Sequence, residues 1–294
     1  MHKYRYRFRL RRHAFVPALL AAGLLLAPAC SALTGAQADP EALLAQTISG
    51  LSGTDDFQFE GTTGVSVGRY PMQAGASFRG SVTGHNKLTM SFDGGPEGGS
   101  AVIESMRAGQ DARAQVVFNR KENGWTPTEP ASEGSAALLL PWSPLYKLEQ
   151  LNTMRKRVES GRDETGLTVL TITPDEAETT KTVKDQLARQ TELLAADRQL
   201  ADLRAKFGLT EREAGRMKAE LEQSVEKARN RIAEAGESIR AGSVYRIWID
   251  RTTRLPVRMQ VETDMNYTAD GQPKQEKNRI DYKFTSYDNR PVGR

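Results

Sequence analysis

The chain has 294 residues, of which 38% are hydrophobic, 27% charged and 7% aromatic, and a formal charge of +4. Such a composition suits one large or two modest domains with a lean core. Lys3, Arg5, Arg7, Arg9, Arg11 and Arg12 carry six positive charges and no acid precedes Asp39, so the remainder is net −2. The basic balance belongs to the leader, which removes the main argument for nucleic-acid binding.

The leader continues with an apolar run from Ala14 to Ala27, broken by Pro17, and then Ala27-Pro28-Ala29-Cys30. This three-part pattern is that of an export signal, and the run is short for a membrane span. The expected division is a signal peptide over 1–29, a flexible tether over 30–40 and a single domain over 41–294. Cys30 is the only cysteine. Its place after a small-x-small site resembles the lipobox of bacterial lipoproteins, with Ala27 where leucine is usual. The resemblance implies acylation of Cys30 and anchoring on the extracytoplasmic face of the cell membrane. Cleavage after Ala29 without acylation, or after Ala36-Gln37-Ala38, are the alternatives. Arg11-Arg12 is followed by residues that fit a twin-arginine signal poorly.

Pro40 to Leu51 predicts a short amphipathic helix ended by Gly50 or Gly53. Alternating runs at Phe57–Glu60, Val65–Val67, Met72–Val82 and Leu88–Phe92 predict strands. Asp93 to Gly99 is a glycine-rich hairpin tip, with no Gly-Lys-Ser/Thr to make it a phosphate cradle. Further strands are expected at Val102–Arg107 and Ala112–Phe118. A linker follows at Thr126–Gly134. Pro141-Trp-Ser-Pro144 opens a helix through Met154 with Leu145, Leu148 and Leu151 at helical spacing. Lys156–Ser160 and Leu167–Thr173 form a hairpin. About eleven strands are expected in all.

The pattern then turns helical. Thr173-Pro174-Asp175-Glu176 predicts a capping box, and Gly208 ends a helix carrying Leu193, Ala196, Leu200, Leu203 and Phe207. Thr210 and Glu213 predict a second capping box. The next helix carries Ala214, Met217, Leu221, Val225, Ala228, Ile232, Ala235 and Ile239 in a narrow stripe. Residues 174–241 thus read as an inserted αα-hairpin, roughly 45 Å long at 1.5 Å per residue. A three-strand meander closes the chain. Val244–Ile249 is followed by Leu255, Val257, Met259, Val261, Met265 and Tyr267 alternating with Arg258, Gln260, Glu262, Asp264 and Asn266. Asp270-Gly271 then leads into Ile280, Tyr282 and Phe284.

Catalytic patterns are missing. His85 is the one histidine after the leader, in a turn context, and no Gly-x-Ser-x-Gly, CxxC, HExxH or EF-hand sequence occurs. A non-enzymatic protein without metal or cofactor is expected.

Ser143-Pro144-Leu145, Val169 to Glu176, Trp248-Ile249-Asp250 and Leu255-Pro256-Val257, in this order, resemble the LolA/LolB-like lipoprotein-carrier superfamily. The resemblance implies an α+β fold: a curved, incomplete antiparallel barrel of about eleven strands with covering helices. The long hairpin departs from the family pattern. The resemblance makes Leu255, Val257, Met259, Val261, Met265, Tyr282 and Phe284 candidate cavity-lining residues, and Leu145, Leu148 and Leu151 a candidate lid; it assigns no lid arginine. The same stripe reads equally as ordinary core beneath helices. The implied function is a membrane-anchored lipoprotein binding a lipid, acyl chain or lipoprotein. The alternative is a non-enzymatic envelope interaction or sensing module whose envelope-protein partner meets residues 174–241. An envelope hydrolase is discouraged by the missing nucleophile and base.

Overall fold

The computed structural model describes residues 39–93, 115–122, 124–128, 139–193, 200, 204, 208, 210–288 and 290–292. All belong to one compact unit, Asp39–Arg294. The expected signal peptide, Cys30, nearly all of the tether, the glycine-rich tip, the strand at Val102–Arg107 and parts of the linker and helical hairpin lie outside these residues.

The elements in chain order are α1 (Pro40–Gly53), β1 (Asp56–Val67), β2 (Gln73–Thr83), β3 (Lys87–Asp93), β4 (Gln115–Lys121) and β5 (Gly124–Pro127). A 3-10 turn (Leu140–Trp142), α2 (Pro144–Thr153), β6 (Lys156–Arg162), β7 (Thr168–Pro174), α3 (Glu176–Leu193) and α4 (Glu211–Ser238) follow. The chain closes with β8 (Arg240–Ile249), β9 (Pro256–Ala269), β10 (Gln272–Tyr287) and β11 (Arg290–Pro291). The strands form one eleven-stranded sheet in the order β5-β4-β3-β2-β1-β10-β9-β8-β7-β6, with β11 beside β10. Among the described residues every pairing is antiparallel, and β5 and β6 are the two edges. The expected α+β class with an open antiparallel sheet is present.

The sheet must curl. At about 4.8 Å per strand, a flat path from β5 to β6 spans roughly 43 Å, far more than a pair of helices covers. Yet Trp125 of β5 donates Nε1 to Glu149 of α2, α2 packs on α1, and α1 reaches β6. Residues of β1–β5 and β7–β10 share one hydrophobic cluster with α1 and α2. The two edges therefore wrap toward the same helices.

Two Gly–Phe pairs let strands and rings approach inside the curl. Gly61 faces Phe78 across β1–β2, and Phe59 faces Gly80 two steps away. A methyl added at Gly61 would overlap the Phe78 ring, whose Cε1 lies only 2.7 Å from it; one at Gly80 would overlap Phe59. Each ring occupies the space its opposite residue leaves empty.

Local chemistry explains most element ends. Asp39 Oδ1 accepts from Glu41 N ahead of Pro40, and Ser143 Oγ accepts from Tyr146 N ahead of Pro144. Asp270 (φ 53) and Gly271 (φ 68) form the two-residue β9–β10 turn, whose left-handed backbone matches the strand twist. Gly208 (φ 61) donates its N–H to Arg204 O, and the Thr210–Glu213 capping box is complete, as expected.

Three expectations need correction. The cap of α3 is Asp175, whose Oδ1 accepts from Ala177 N; Pro174 still belongs to β7, opposite Lys156. Strand pairing thus holds two residues of the expected Thr173 capping box in extended form. The runs at Phe57–Glu60 and Val65–Val67 are one strand, because pairing with β10, in constant register from Phe59 to Val67, carries the chain through Gly61 and Gly64. Finally, the alternation from Leu255 is interrupted. Arg258 pairs with Trp248 but Pro256 with Ile249, so Val257 has no partner on β8. This bulge turns Pro256 inward and leaves Val257 half-buried.

Candidate functional site

The concave face has two sections, because β1, β9 and β10 run on beyond the helices α1 and α2. In the covered section, the candidate residues Met259 (0% exposed), Val261 (3%), Tyr282 (1%) and Phe284 (1%) lie in one cluster with Leu43, Leu44 and Leu51 of α1. Leu145, Leu148 and Leu151 of α2 enter the same cluster and are buried. Here the expected lid and lining meet, and the protein's own side chains fill the space between them. Leu255 and Val257 lie at the far end of the sheet, both half-buried, with Leu255 beside Gly50 of α1.

The lid helix is latched to the β5 edge. Arg120 Nη2 lies 2.8 Å from Glu149 Oε1, and Trp125 Nε1 donates to Glu149 Oε2 at 3.2 Å. Arg120 also sits over the Trp125 ring, 5.6 Å from its centre. Sequence reasoning assigned no lid arginine; Arg120 is separated from α2 by the linker, and no local spacing points to it. Lys147, on the same helix, has its ammonium pulled down to about 8 by burial.

The second section is open on one side. Unbroken β1–β10 pairing places Val65 opposite Asn278 and Val67 opposite Glu276, on the same face as Phe59 and Tyr282. Val65 and Val67 are 38% and 44% exposed. Across β10 the face continues through Thr263 and the candidate Met265, which is half-buried. The polar side chains here are mostly paired with one another. Ser243 and Thr263 hydroxyls are 2.8 Å apart, Tyr267 Oη donates to Glu276 Oε2, and Asn278 Nδ2 donates to Glu276 Oε1. Asn278 Oδ1 and Tyr282 Oη are buried without a hydrogen-bond partner. Burial pushes Tyr245 up to about 12 and Tyr282 well above the ordinary phenol value, so both remain neutral hydroxyls.

The helical arm walls this section on the β8–β9 side. Thr180 Oγ1 accepts from Ala241 N and donates to Ala241 O, satisfying the β8 backbone where β7 has ended. Near the β9–β10 turn, Glu234 accepts from Asp270 N and Gly271 N, Arg231 pairs with Asp270, and Ser238 Oγ accepts from Thr268 N. These contacts run along α4 toward the turn, and roughly 20 residues of α4, about 30 Å, continue past it. Along this part Ala214 and Val225 are buried, as the stripe predicted.

Two further depressions are open and carry charged side chains. One of about 430 Å³ lies on the convex face among Glu60, Thr62, Arg79, Arg258, Asp281 and Lys283. The other, of about 620 Å³, lies at the root of the arm among Asp175, Glu176, Lys181, Lys184, Asp185 and Arg240. Asp281 is held below the usual carboxylate range: hydrogen bonds from Arg279, Gln260 and Arg258 outweigh its desolvation. His85 occupies a β2–β3 turn at φ 60, beside Asp55. Among the described residues no metal-ligand cluster occurs and no helix is long and apolar enough to cross a membrane.

No protein-family model matches the chain, and no curated protein matches it in sequence. In fold it is similar to a LolA superfamily protein from Nitrosomonas europaea (5% identity, 86% of this chain and 94% of the other, TM-score 0.27). It is also similar to a putative outer-membrane lipoprotein-sorting protein domain from Vibrio parahaemolyticus (9% identity, 84% and 94%, TM-score 0.23). A third likeness is to lipovitellin, known from a structure of its lipid–protein interactions (9% identity, TM-score 0.38). It covers 81% of this chain but only 26% of lipovitellin. The strand register given above defines the architecture.

Proposed function

We propose that the protein is an exported, non-enzymatic lipoprotein, anchored through Cys30, that holds a lipid acyl chain on the open section of its concave face. The observation that carries this reading is the exposure of Val65 and Val67 on the same face that packs the core. An apolar row that continues a core without a cover of its own is a place for an apolar ligand. Met265 and Ile280 flank it, and Met265 supplies an adaptable surface. The unpartnered Asn278 Oδ1 adds an acceptor beside that row. Val261, Met259 and Phe284 act as the fixed floor, and α2 stays latched while the chain is held. Lipoprotein-sorting and lipid-bearing proteins among the fold likenesses agree with this class of ligand.

The test is displacement of a fluorescent fatty acid from the purified protein. Saturable binding is expected, weakened about tenfold or more by Val67→Asp, which places a charge in the apolar row. Val67 is 44% exposed, so the substitution leaves the core intact. Absence of saturable binding, or equal binding by Val67→Asp, overturns the assignment.

A second reading rests on the projecting part of α4: an envelope-protein partner meets the arm over 174–241, with the half-barrel as scaffold. Removing the arm beyond Arg231 then abolishes partner capture while fatty-acid binding persists.

A further inference from the structure

The β1–β2 hairpin ends in a turn, 68–72, with an unusual surface. Among the described residues, the large hydrophobic side chains that are exposed are Val65 (38%), Val67 (44%), Tyr70 (73%) and Met72 (41%). All four fall within one short stretch of sequence. Exposed hydrophobics scattered singly need no explanation, but a cluster does.

The tip is a shaped element. Gly68 (φ 60) starts the turn and donates its N–H to Gln275 O of β10, which ties the hairpin to its neighbour. Tyr70 N donates to Val67 O, and Ser66 Oγ donates to Tyr70 O at 2.7 Å. These bonds hold the turn in shape while the Tyr70 and Met72 side chains stay exposed. Arg69 lies within the turn and is exposed, as is Lys274 on the adjoining end of β10. The nearby carboxylates are engaged: Glu276 accepts from Tyr267 and Asn278, Asp264 pairs with Lys277, and Asp270 pairs with Arg231. The tip thus carries exposed apolar and aromatic groups together with two exposed cations.

We propose that the β1–β2 tip docks on an anionic lipid bilayer surface. Tyr70 has the amphipathic ring suited to headgroup depth, and Met72 and Val67 extend the apolar contact. Arg69 and Lys274 reach lipid phosphates, and such cations near an anionic surface add to the attraction. A bilayer suits the surface better than a protein partner because the same strand continues into the open concave row. Val67 belongs to both surfaces, so an acyl chain leaving the bilayer would meet the groove directly. The purpose of the docking rests on the acyl-chain reading above; the docking itself does not.

The test uses the full chain with Cys30→Ser to remove acylation and Tyr70→Cys to carry an environment-sensitive fluorophore. Vesicles of phosphatidylcholine, with and without phosphatidylglycerol, are added. A blue shift and quenching by spin-labelled lipid are expected, at lower lipid concentration when phosphatidylglycerol is present. The same label at Glu164→Cys, in the β6–β7 turn at the opposite end of the sheet, should keep its emission in buffer. Adding Arg69→Ser and Met72→Ser to the labelled chain should raise the lipid needed for half the shift about tenfold, with fatty-acid affinity unchanged. No shift at position 70, an equal shift at 164, or no effect of the two substitutions overturns the proposal. A label at 70 that answers to an envelope protein but not to vesicles also overturns it. If the tip inserts while fatty acid fails to bind, docking stands and the acyl-chain reading falls.

Discussion

Gly61→Ala isolates the steric rule that allows the sheet to curl. Gly61 has no positive φ, so alanine meets no backbone strain, and by chain entropy alone it would stabilise by about 0.5–1 kcal/mol. Sterics act in the opposite direction. The new methyl overlaps the Phe78 ring, and that ring cannot retreat easily. Phe78 is 2% exposed, meets Tyr282 edge-on at 5.8 Å and lies 5.7 Å from Trp142. With a ring this closely held the cost lies in the upper part of the range for overpacking, about 2–3 kcal/mol, so net destabilisation of about 1–2.5 kcal/mol is expected. Urea unfolding monitored by tryptophan fluorescence and circular dichroism reads it as a lower midpoint at unchanged slope. Gly61→Ala with Phe78→Leu should couple favourably, because the shorter side chain makes room for the methyl. A neutral or stabilising Gly61→Ala, or strict additivity in the double variant, would refute the reasoning.

Glu149→Gln should loosen the α2 latch by weakening the Arg120 pair; faster amide exchange in 144–153 with little change in exchange of β9 and β10 is the expected pattern. Thr180→Val leaves both Ala241 backbone groups without their hydroxyl partner, and a loss of about 1–2 kcal/mol in urea unfolding is expected. Lys147 is predicted to carry a pH signature. Its folded pKa of about 8 lies below the ordinary lysine value of 10.5, so the unfolded chain binds more protons between those values. Stability therefore rises as pH climbs from about 8 toward 10, and the penalty is fully present below 8. Lys147→Met should stabilise at pH 7 by about 1–3 kcal/mol and flatten that rise. An unchanged pH profile in the variant would assign the rise to other groups.

The elements most legible in the sequence were those set by local chemistry. Thr210 and Glu213 cap α4 because their atoms are three residues apart on any helix start, and Asp270-Gly271 forms its turn because few other pairs accept two left-handed residues. The alternation of Val261, Met265 and Tyr267 identified β9 for the same reason. What escaped depends on partners distant in sequence. Val257 is a bulge only because β8 presents one residue fewer at Trp248–Ile249. Thr173 is no cap because Lys156 and Arg157 hold β7 extended through Pro174. Glu149 meets Arg120 and Trp125 only once the sheet has curled. For the site, Met259 and Val261 carry the same pattern whether they line a cavity or a core, and burial under α1 and α2 distinguishes the cases. Val65 and Val67 gave no signal of their own, since exposure depends on where the covering helices stop.

The most direct test of the central claim is photocrosslinking with a fatty acid carrying a diazirine near its methyl end, followed by peptide mapping by mass spectrometry. Saturable labelling of the strand segments holding Val65, Val67 and Met265, competed by unlabelled fatty acid, is the predicted result. Labelling confined to the convex face around Arg79 and Lys283, or labelling that does not saturate, would contradict an acyl-chain site on the open concave section.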